Sequence, residues 1–315
     1  MKSLKIILLL NIILIGCVYT YADSSTLPAV LVPPSVRRGY PLKTLILMSD
    51  SVSNILIELL HGGSVLFKTH AFPAGTTKNK HIWIGLLGIP SYLEPGAYSI
   101  RIIGEGGARE LRYRRTVNVI NVRYNHEKIS LNTSLTELRN RKDPLVKEQT
   151  KELIKILFNF DKNALFNTGV FFKPVEGRMS ARFGDRRLYS YADNRTAHSI
   201  HNGIDFAVPV GTPVHACGDG RVVFADNRVI TGKSVIIEHL PEVYSIYYHL
   251  SKIDVRKDEL VKRGKIIGES GVSGLATGPH LHWEVRVSGV AVDPEIFLKN
   301  KIIDKSLILS NILEQ

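Results

Sequence analysis

The sequence has few of the features that would set it apart from an ordinary globular protein. It contains only two cysteines among 315 residues, and it has no internal repeat and no low-complexity tract. Cys17 lies in an apolar N-terminal stretch, so Cys217 is left without a partner and we predict no internal disulfide. After residue 22, no segment reaches the roughly 20 apolar residues that a membrane-spanning helix needs. The fold must therefore depend on hydrophobic cores.

Residues 1–22 have the pattern of an export signal. A short basic start precedes an apolar run from Ile6 to Val18, which at about 13 residues is short for a membrane span. Cleavage after Ala22 is one interpretation, and lipidation of Cys17, which ends a lipobox-like run, is another. An uncleaved membrane anchor is the third. Under all three, the rest of the chain is exported to the periplasm or cell envelope.

The net charge is +12. On an exported protein, such a charge suits a polyanionic surface such as wall polymers or anionic lipid head groups, although charges scattered over a solvated surface are the simpler explanation. No nucleic-acid-binding motif is present, so we predict no nucleic-acid partner. We expect a monomer.

The fold class predicted from the sequence is mainly β. Short runs of strand character, bounded by Gly, Pro, Asn or Asp, recur through residues 27–125 and predict a small immunoglobulin-like β-sandwich. The predicted strands in this part are Leu42–Met48, Ile55–Leu60, Ser64–Thr69, His81–Leu87, Ala97–Ile103 and Arg115–Val122.

Residues 126–170 are predicted to link this sandwich to a second unit. Positions 123–142 are polar and indicate an irregular segment, whereas Asp143-Pro144 is typical of a helix start and predicts a helix over about 144–159. Residues 171–300 form a second β-rich unit with an antiparallel sheet. The tail, 301–315, predicts a short amphipathic helix.

Seven of the eleven histidines lie between residues 198 and 282. The segment from His280 to Val285 alternates, so in a strand His280 and His282 would share one face while Leu281 and Trp283 face the core. Upstream, His201 and Asp205 would be about 13 Å apart in an extended chain, too far for two ligands of one metal ion. We therefore expect a bend at Gly203, a residue with the necessary conformational freedom.

Two histidines and one carboxylate provide three protein ligands and leave a fourth position for water. This arrangement is typical of a catalytic rather than a structural zinc site. The Gly-rich stretch 268–278 lacks the strand-to-helix context of a phosphate loop, and we interpret it as a wall of a substrate groove.

Several motifs in one order resemble the M23 metallopeptidases, the lysostaphin- and LytM-like wall endopeptidases. The resemblance covers about residues 174–295. The motifs are Arg182-Phe-Gly-Asp-Arg-Arg187, His201-Asn-Gly-Ile-Asp205, Gly211-Thr-Pro-Val, Gly220-Arg-Val-Val, Tyr248-His249-Leu250 and Gly278-Pro-His280-Leu-His282-Trp-Glu284.

The resemblance implies one Zn²⁺ per chain, held by His201, Asp205 and His282. It assigns His249 and His280 to catalysis without ligation, and it implies peptidoglycan as the substrate. Candidate substrate contacts are Asn202, Arg187, Tyr189 and His198. We interpret His215 and His239 as exposed or outlying residues of the same unit, and Cys217 as a packing residue.

Two other functions compete with an enzyme. Some relatives in this family have lost ligands and act as non-catalytic activators of wall hydrolysis, but this chain retains all five of the residues assigned above. Alternatively, the first β unit is a wall-binding module and the second is accessory, although the sandwich carries no evident binding signature.

Overall fold

The computed structural model describes residues 28–49, 52–77, 80–106, 111–167 and 169–303. The predicted export signal, with Cys17, lies outside these residues, as does most of the predicted C-terminal helix. The prediction of a mainly β fold is confirmed, since most of the described chain lies in strands. No helix among the described residues is both long enough and apolar enough to cross a membrane.

The first part of the chain forms two sheets packed face to face. The four-stranded sheet has the order β1-β3-β7-β6, and the five-stranded sheet has the order β2-β9-β8-β4-β5. The immunoglobulin-like topology stays a prediction. The strand bounds are β1 Ala29–Leu31, β2 Ser35–Arg37, β3 Pro41–Met48, β4 Asn54–His61, β5 Ser64–His70, β6 Phe72–Thr77, β7 Lys80–Gly88, β8 Gly96–Glu105 and β9 Leu111–Ile120.

The sequence predicted an irregular segment at positions 123–142, and this prediction is wrong. The segment forms a strand and a helix. These are β10 (His126–Ser130) and α1 (Thr133–Arg139). β10 is polar because one of its faces is solvent-exposed. Its backbone pairs with that of β12, some 60 residues later in the sequence. Helix α2 (Pro144–Leu157) follows, with the Asp143 side chain accepting from the backbone N–H of Leu145 as its N-cap.

The remainder of the chain is built on an eight-stranded sheet. Its main path is β11-β14-β22-β18-β17-β16-β20, and β23 pairs with β22. The bounds are β11 Arg178–Ala181, β12 Arg186–Ser190, β13 Thr196–Ile200, β14 Ile204–Ala207, β15 Pro213–His215, β16 Gly220–Arg228, β17 Gly232–Leu240, β18 Val243–Leu250, β19 Lys252–Ile253, β20 Leu260–Val261, β21 Ile266–Glu269, β22 Leu281–Val287, β23 Val290–Val292 and α3 Glu295–Lys299.

Two three-stranded sheets complete the fold. One joins β15, β21 and β19, and the other joins β10, β12 and β13. We call the second the groove sheet. Within it, β10 and β12 are parallel, and β12 and β13 are antiparallel.

The four-stranded sheet is buried on both faces. Along β3, Leu42, Ile46 and Met48 join the core of the sandwich, whereas Leu45 and Leu47 join the core of the eight-stranded sheet. Because side chains alternate along a strand, this sheet serves both cores and forms a middle layer between them. Two buried hydrogen bonds, each 2.7 Å long, also join the first part of the chain to the second. Ser288 Oγ donates to the Leu86 carbonyl on β7, and Thr69 Oγ1 on β5 donates to Glu242 Oε2.

Candidate metal centre

Three buried side chains converge at one edge of the eight-stranded sheet. Asp205 on β14 lies directly opposite His282 on β22 in the antiparallel register, and His201 reaches them from the loop before β14. His282 Nδ1 is 2.7 Å from Asp205 Oδ1, and His201 Nε2 is 3.0 Å from each of these atoms. Two nitrogens and one oxygen so close together form a group that is able to bind a metal ion.

Gly203 is needed in the ligand loop for a reason other than the predicted one. Its backbone does not adopt a left-handed conformation. A Cβ atom there would instead lie 2.3 Å from the carbonyl oxygen of Trp283, because β22 passes directly beside it. Any larger residue would push β14 away from β22 and separate Asp205 from His282. The glycine is thus a requirement of close strand approach rather than of conformational freedom.

The outer nitrogen of each ligand histidine is fixed by a hydrogen bond. His201 Nδ1 donates to the Arg182 carbonyl at 2.8 Å, and His282 Nε2 donates to Glu284 Oε1 at 3.0 Å. With a metal ion bound, these bonds would set the tautomers so that His201 Nε2 and His282 Nδ1 present their lone pairs to the ion. Glu284 was not among the residues predicted for the site. Its position two residues after His282, on the same face of the strand, was the signal that could have revealed it.

The charges around the group favour a bound cation. Burial alone would raise the pKa of the Asp205 carboxyl, but hydrogen bonds from His201 and His282 hold it well below its usual range. Burial likewise lowers the pKa of His282, yet the adjacent carboxylates of Asp205 and Glu284 outweigh it and raise that pKa to about 9. The centre therefore attracts positive charge, which here can be a proton or a metal ion.

His249 and His280 flank the group without belonging to it. Their ring centroids are 4.8 Å apart, and His280 Nε2 lies 3.8 Å from Asp205 Oδ1. His249 Nδ1 donates to the Ser273 carbonyl and His280 Nδ1 to the Gly278 carbonyl, at 2.7 and 2.8 Å. Burial lowers the pKa of both rings, that of His249 to about 3, so both are neutral at pH 7. Each Nε2 can then accept a proton.

His249 has an unusual backbone. It lies near the end of β18 with φ at 61°, in the left-handed region that residues other than glycine seldom adopt. Its N–H donates to the Thr231 carbonyl, which ties it to the loop before β17. Because of this backbone conformation, the His249 side chain does not follow the alternating pattern of β18, and its imidazole lies beside that of His280.

A groove of about 260 Å³ opens in front of the metal centre. The groove sheet and the end of α1 form one wall, and the loops that carry Thr231 and Thr277 form the other. A larger cavity, about 1050 Å³, lies between the five-stranded sheet and the eight-stranded sheet. Asn202 lines both spaces, and no member of the metal group lines the larger one.

The four predicted substrate contacts occupy different positions. Asn202 and Tyr189 line the groove, and so does Arg187. However, the Arg187 guanidinium is already paired: Nη2 donates to Asp205 Oδ2 at 2.7 Å, and Nε donates to Glu127 Oε2 at 3.0 Å. It supports a metal ligand. His198 is exposed and does not line the groove; it pairs with Leu188 on β12, which alternates with the groove-lining Arg187 and Tyr189.

Two further histidines lie apart from the centre. His239 is buried and bonded to Ser245 Oγ, 2.7 Å away, with Cys217 packed beside it. His215 contacts the carbonyl of Pro174. Neither ring lines the groove.

The comparisons with known proteins agree with this geometry. The sequence model described as "Peptidase family M23" matches residues 199–294, the segment that contains all five histidine and aspartate residues of the centre. This segment of the chain is similar to peptidase family M23.

Among curated proteins, the chain is similar to the peptidoglycan DD-endopeptidase ShyA of Vibrio cholerae, with 47% identity over 122 residues. It is also similar to the DD-carboxypeptidase/endopeptidase Mpg of Neisseria meningitidis, with 42% identity over 122 residues. Each match covers 38% of this chain and 28% or 27% of the relative. The chain thus spans little more than a quarter of the length of these relatives.

One solved structure resembles more of the chain. A crystal structure described as an M23 peptidase of Pseudomonas aeruginosa matches with a TM-score of 0.51 and 26% identity, covering 77% of this chain and 87% of that one. The likeness therefore extends beyond the family domain into the strands that precede it.

Proposed function

We propose that the chain is a zinc metalloendopeptidase that hydrolyses the stem peptides or peptide cross-links of bacterial peptidoglycan. The observation that carries this proposal is the convergence of His201, Asp205 and His282 to within 3.0 Å of one another, beside two non-ligand histidines. Similarity to family M23 and relatives named peptidoglycan DD-endopeptidases support the substrate class.

The donor set fits zinc. Tetrahedral ligands with bonds of about 2.0–2.2 Å lie roughly 3.4 Å apart, so the three atoms need to separate by only a few tenths of an ångström. Three protein ligands would leave one position open for water, and all three side chains line the groove. A bound zinc ion supplies a Lewis acid that polarises the scissile carbonyl and makes water acidic.

We assign the proton transfers to His249 and His280. Both rings are neutral at pH 7 because burial lowers their pKa, and both keep Nδ1 engaged with a backbone carbonyl. One Nε2 therefore accepts the proton of the attacking water. The protonated ring can then donate its N–H to the developing oxyanion or to the departing amine, which needs a proton to leave.

The remaining predicted residues have supporting roles in this proposal. Tyr189 and Asn202 contact the extended peptide in the groove, and Arg187 holds Asp205 in position. We place the chemistry in residues 171–300. The linking segment 126–170 contributes one wall of the groove, and the first unit, 27–125, supports the sheet that carries the ligands.

The proposed substrate also supports the predicted location. Relatives that act on peptidoglycan work in the cell envelope, which agrees with an export signal at residues 1–22 or lipidation of Cys17. We therefore propose an exported monomer in the periplasm or envelope.

Digestion of purified peptidoglycan by the purified chain tests the proposal. With zinc supplied, we expect release of peptide fragments whose masses identify an amide hydrolysis, and a chelator should stop the release until zinc is restored. A matched sample of His282→Ala excludes a contaminating hydrolase. If the zinc-loaded chain released no fragments from peptidoglycan, the proposal would be wrong.

A further inference from the structure

The end of α1 places one arginine at the groove in an unusual setting. The guanidinium of Arg139 lies over the ring of Tyr189, 3.9 Å from its centroid, and its Nε donates to the Tyr191 hydroxyl at 3.1 Å. Stacking and this hydrogen bond fix the plane of the guanidinium. The residue is half-buried and lines the same groove as His249, His280 and His282.

Arg139 differs from the other charged residues of the groove because it lacks a counterion. Arg187 is paired with Glu127 and Asp205, and Glu284 is paired with Arg286. Among the described residues, no carboxylate lies within ion-pair distance of Arg139. Its two Nη groups likewise have no hydrogen-bond acceptor in the described part of the chain. They remain available to a ligand.

The position of Arg139 can be estimated from the groove sheet. Arg187 and Tyr189 are two residues apart on β12, so their side chains are separated by about 6–7 Å along one face. Arg187 contacts Asp205, and Arg139 stacks on Tyr189. The Arg139 guanidinium thus lies on the order of 10 Å from the metal group. An extended peptide covers that distance in about two or three residues.

We infer that Arg139 binds a carboxylate of the substrate peptide that lies about two or three residues from the scissile bond. The inference rests on the proposed function, and it narrows the substrate to peptides with a free carboxyl group at that distance. A planar, pre-oriented guanidinium can bind both carboxylate oxygens, which an amide at the same position cannot reproduce.

Two synthetic cross-linked peptides provide the test. They are identical except that the carboxylates near the scissile bond are free in one and converted to primary amides in the other. With zinc-loaded full chain, we expect kcat/KM to be about 10- to 100-fold higher for the free acid, the factor expected for hydrogen bonds to a charged group. Arg139→Gln should remove this preference by raising KM for the free acid much more than for the amide.

Two variants sharpen the test. Arg139→Lys keeps the positive charge but removes the planar guanidinium that can bind both carboxylate oxygens. It should therefore retain only part of the preference for the free acid. Arg195→Gln is the matched control, because Arg195 also lies over a tyrosine ring, that of Tyr191, but is paired with Asp193 and does not line the groove. It should leave both rates unchanged. A loss of folded protein would lower kcat/KM for both peptides by the same factor. The ratio of kcat/KM for the free acid to that for the amide therefore remains a valid test even if a variant is less stable.

The outcomes separate this inference from the function on which it rests. Equal rates on the two peptides, or an equal loss on both in Arg139→Gln, would overturn the inference and leave the peptidase intact. If the unmodified chain cleaved neither peptide, both the proposed function and the inference would fall.

Discussion

The two sheets that line the groove differ in burial and in the kind of residue they contribute. The eight-stranded sheet holds Asp205, His282 and His249 on three neighbouring strands, β14, β22 and β18, and all three residues are buried. The groove sheet is thinner and partly exposed, and its Arg187 and Tyr189 project toward the same space.

This difference shows how the fold separates chemistry from recognition. Groups that must hold a metal ion within tenths of an ångström lie on strands that are paired on both sides within a packed core. Under the proposed function, the groups that would contact a peptide lie on a peripheral sheet, where substitutions disturb the core less. The following predictions test that separation, from the largest expected effect to the smallest.

The largest effects should come from the histidines of the eight-stranded sheet. His282→Ala removes a ligand, so we expect loss of both bound zinc and activity. His280→Ala leaves all three proposed ligands in place, so zinc content should be retained while kcat falls by about 10²–10⁴-fold, the usual contribution of a general acid or base. Metal analysis and peptidoglycan digestion measure the two quantities. An equal fall in zinc content in both variants would contradict the division between ligand and non-ligand histidines.

The second prediction concerns stability and pH. Burial lowers the pKa of His239 on β17 to about 4, whereas in the unfolded chain it is near 6.5. Between these values the unfolded state binds more protons, so stability decreases as the pH falls from 6.5 to 4, by about 3 kcal/mol. Chemical denaturation of the metal-free chain at pH 7 and pH 4 measures this loss, and His239→Gln should reduce it.

The groove sheet supplies the control for this measurement. His198 on β13 is exposed, so His198→Gln should leave the unfolding free energy at pH 7 unchanged and serves as the matched substitution. If His239→Gln and the unmodified chain lost the same stability on acidification, His239 would not be the buried group responsible.

The third prediction compares two glutamates that support ligands from opposite sheets. Glu284 bonds directly to the ligand His282, whereas Glu127 on β10 acts on Asp205 only through Arg187. Glu284→Gln should weaken zinc affinity by about 10- to 100-fold, as is usual for a residue that orients a metal ligand. Glu127→Gln should weaken it by less than about tenfold. Competition with a zinc chelator gives both constants, and the reverse order would mean that the groove sheet controls the metal centre.

Sequence reasoning was most successful where the pattern was local. The alternation around His282 predicted a buried Leu281 and Trp283, and both are fully buried. The mainly β class followed from the regular spacing of strands and turns. In each case, the information lay within a few adjacent residues.

It failed where partners are distant in sequence. Nothing in the polar segment around Glu127 indicates that it pairs in parallel with β12, and so the strand β10, the groove wall and Arg139 were all missed. The bend at Gly203 was predicted and is present, but the close approach that requires a glycine there involves Trp283, which is 80 residues away. His198 was assigned to the groove because it is near His201 in sequence, although the strand turns it away.

The middle layer makes the two halves of the molecule dependent on each other's sequence. Leu45, Leu47 and Leu86 fill the core beneath β22 and β23, so the volume of these side chains must match residues more than 150 positions later. Transplanting the family domain alone into another protein would expose an apolar sheet face to water. Exchange of domains between relatives should therefore give a folded protein only when the four-stranded sheet and the eight-stranded sheet come from the same relative.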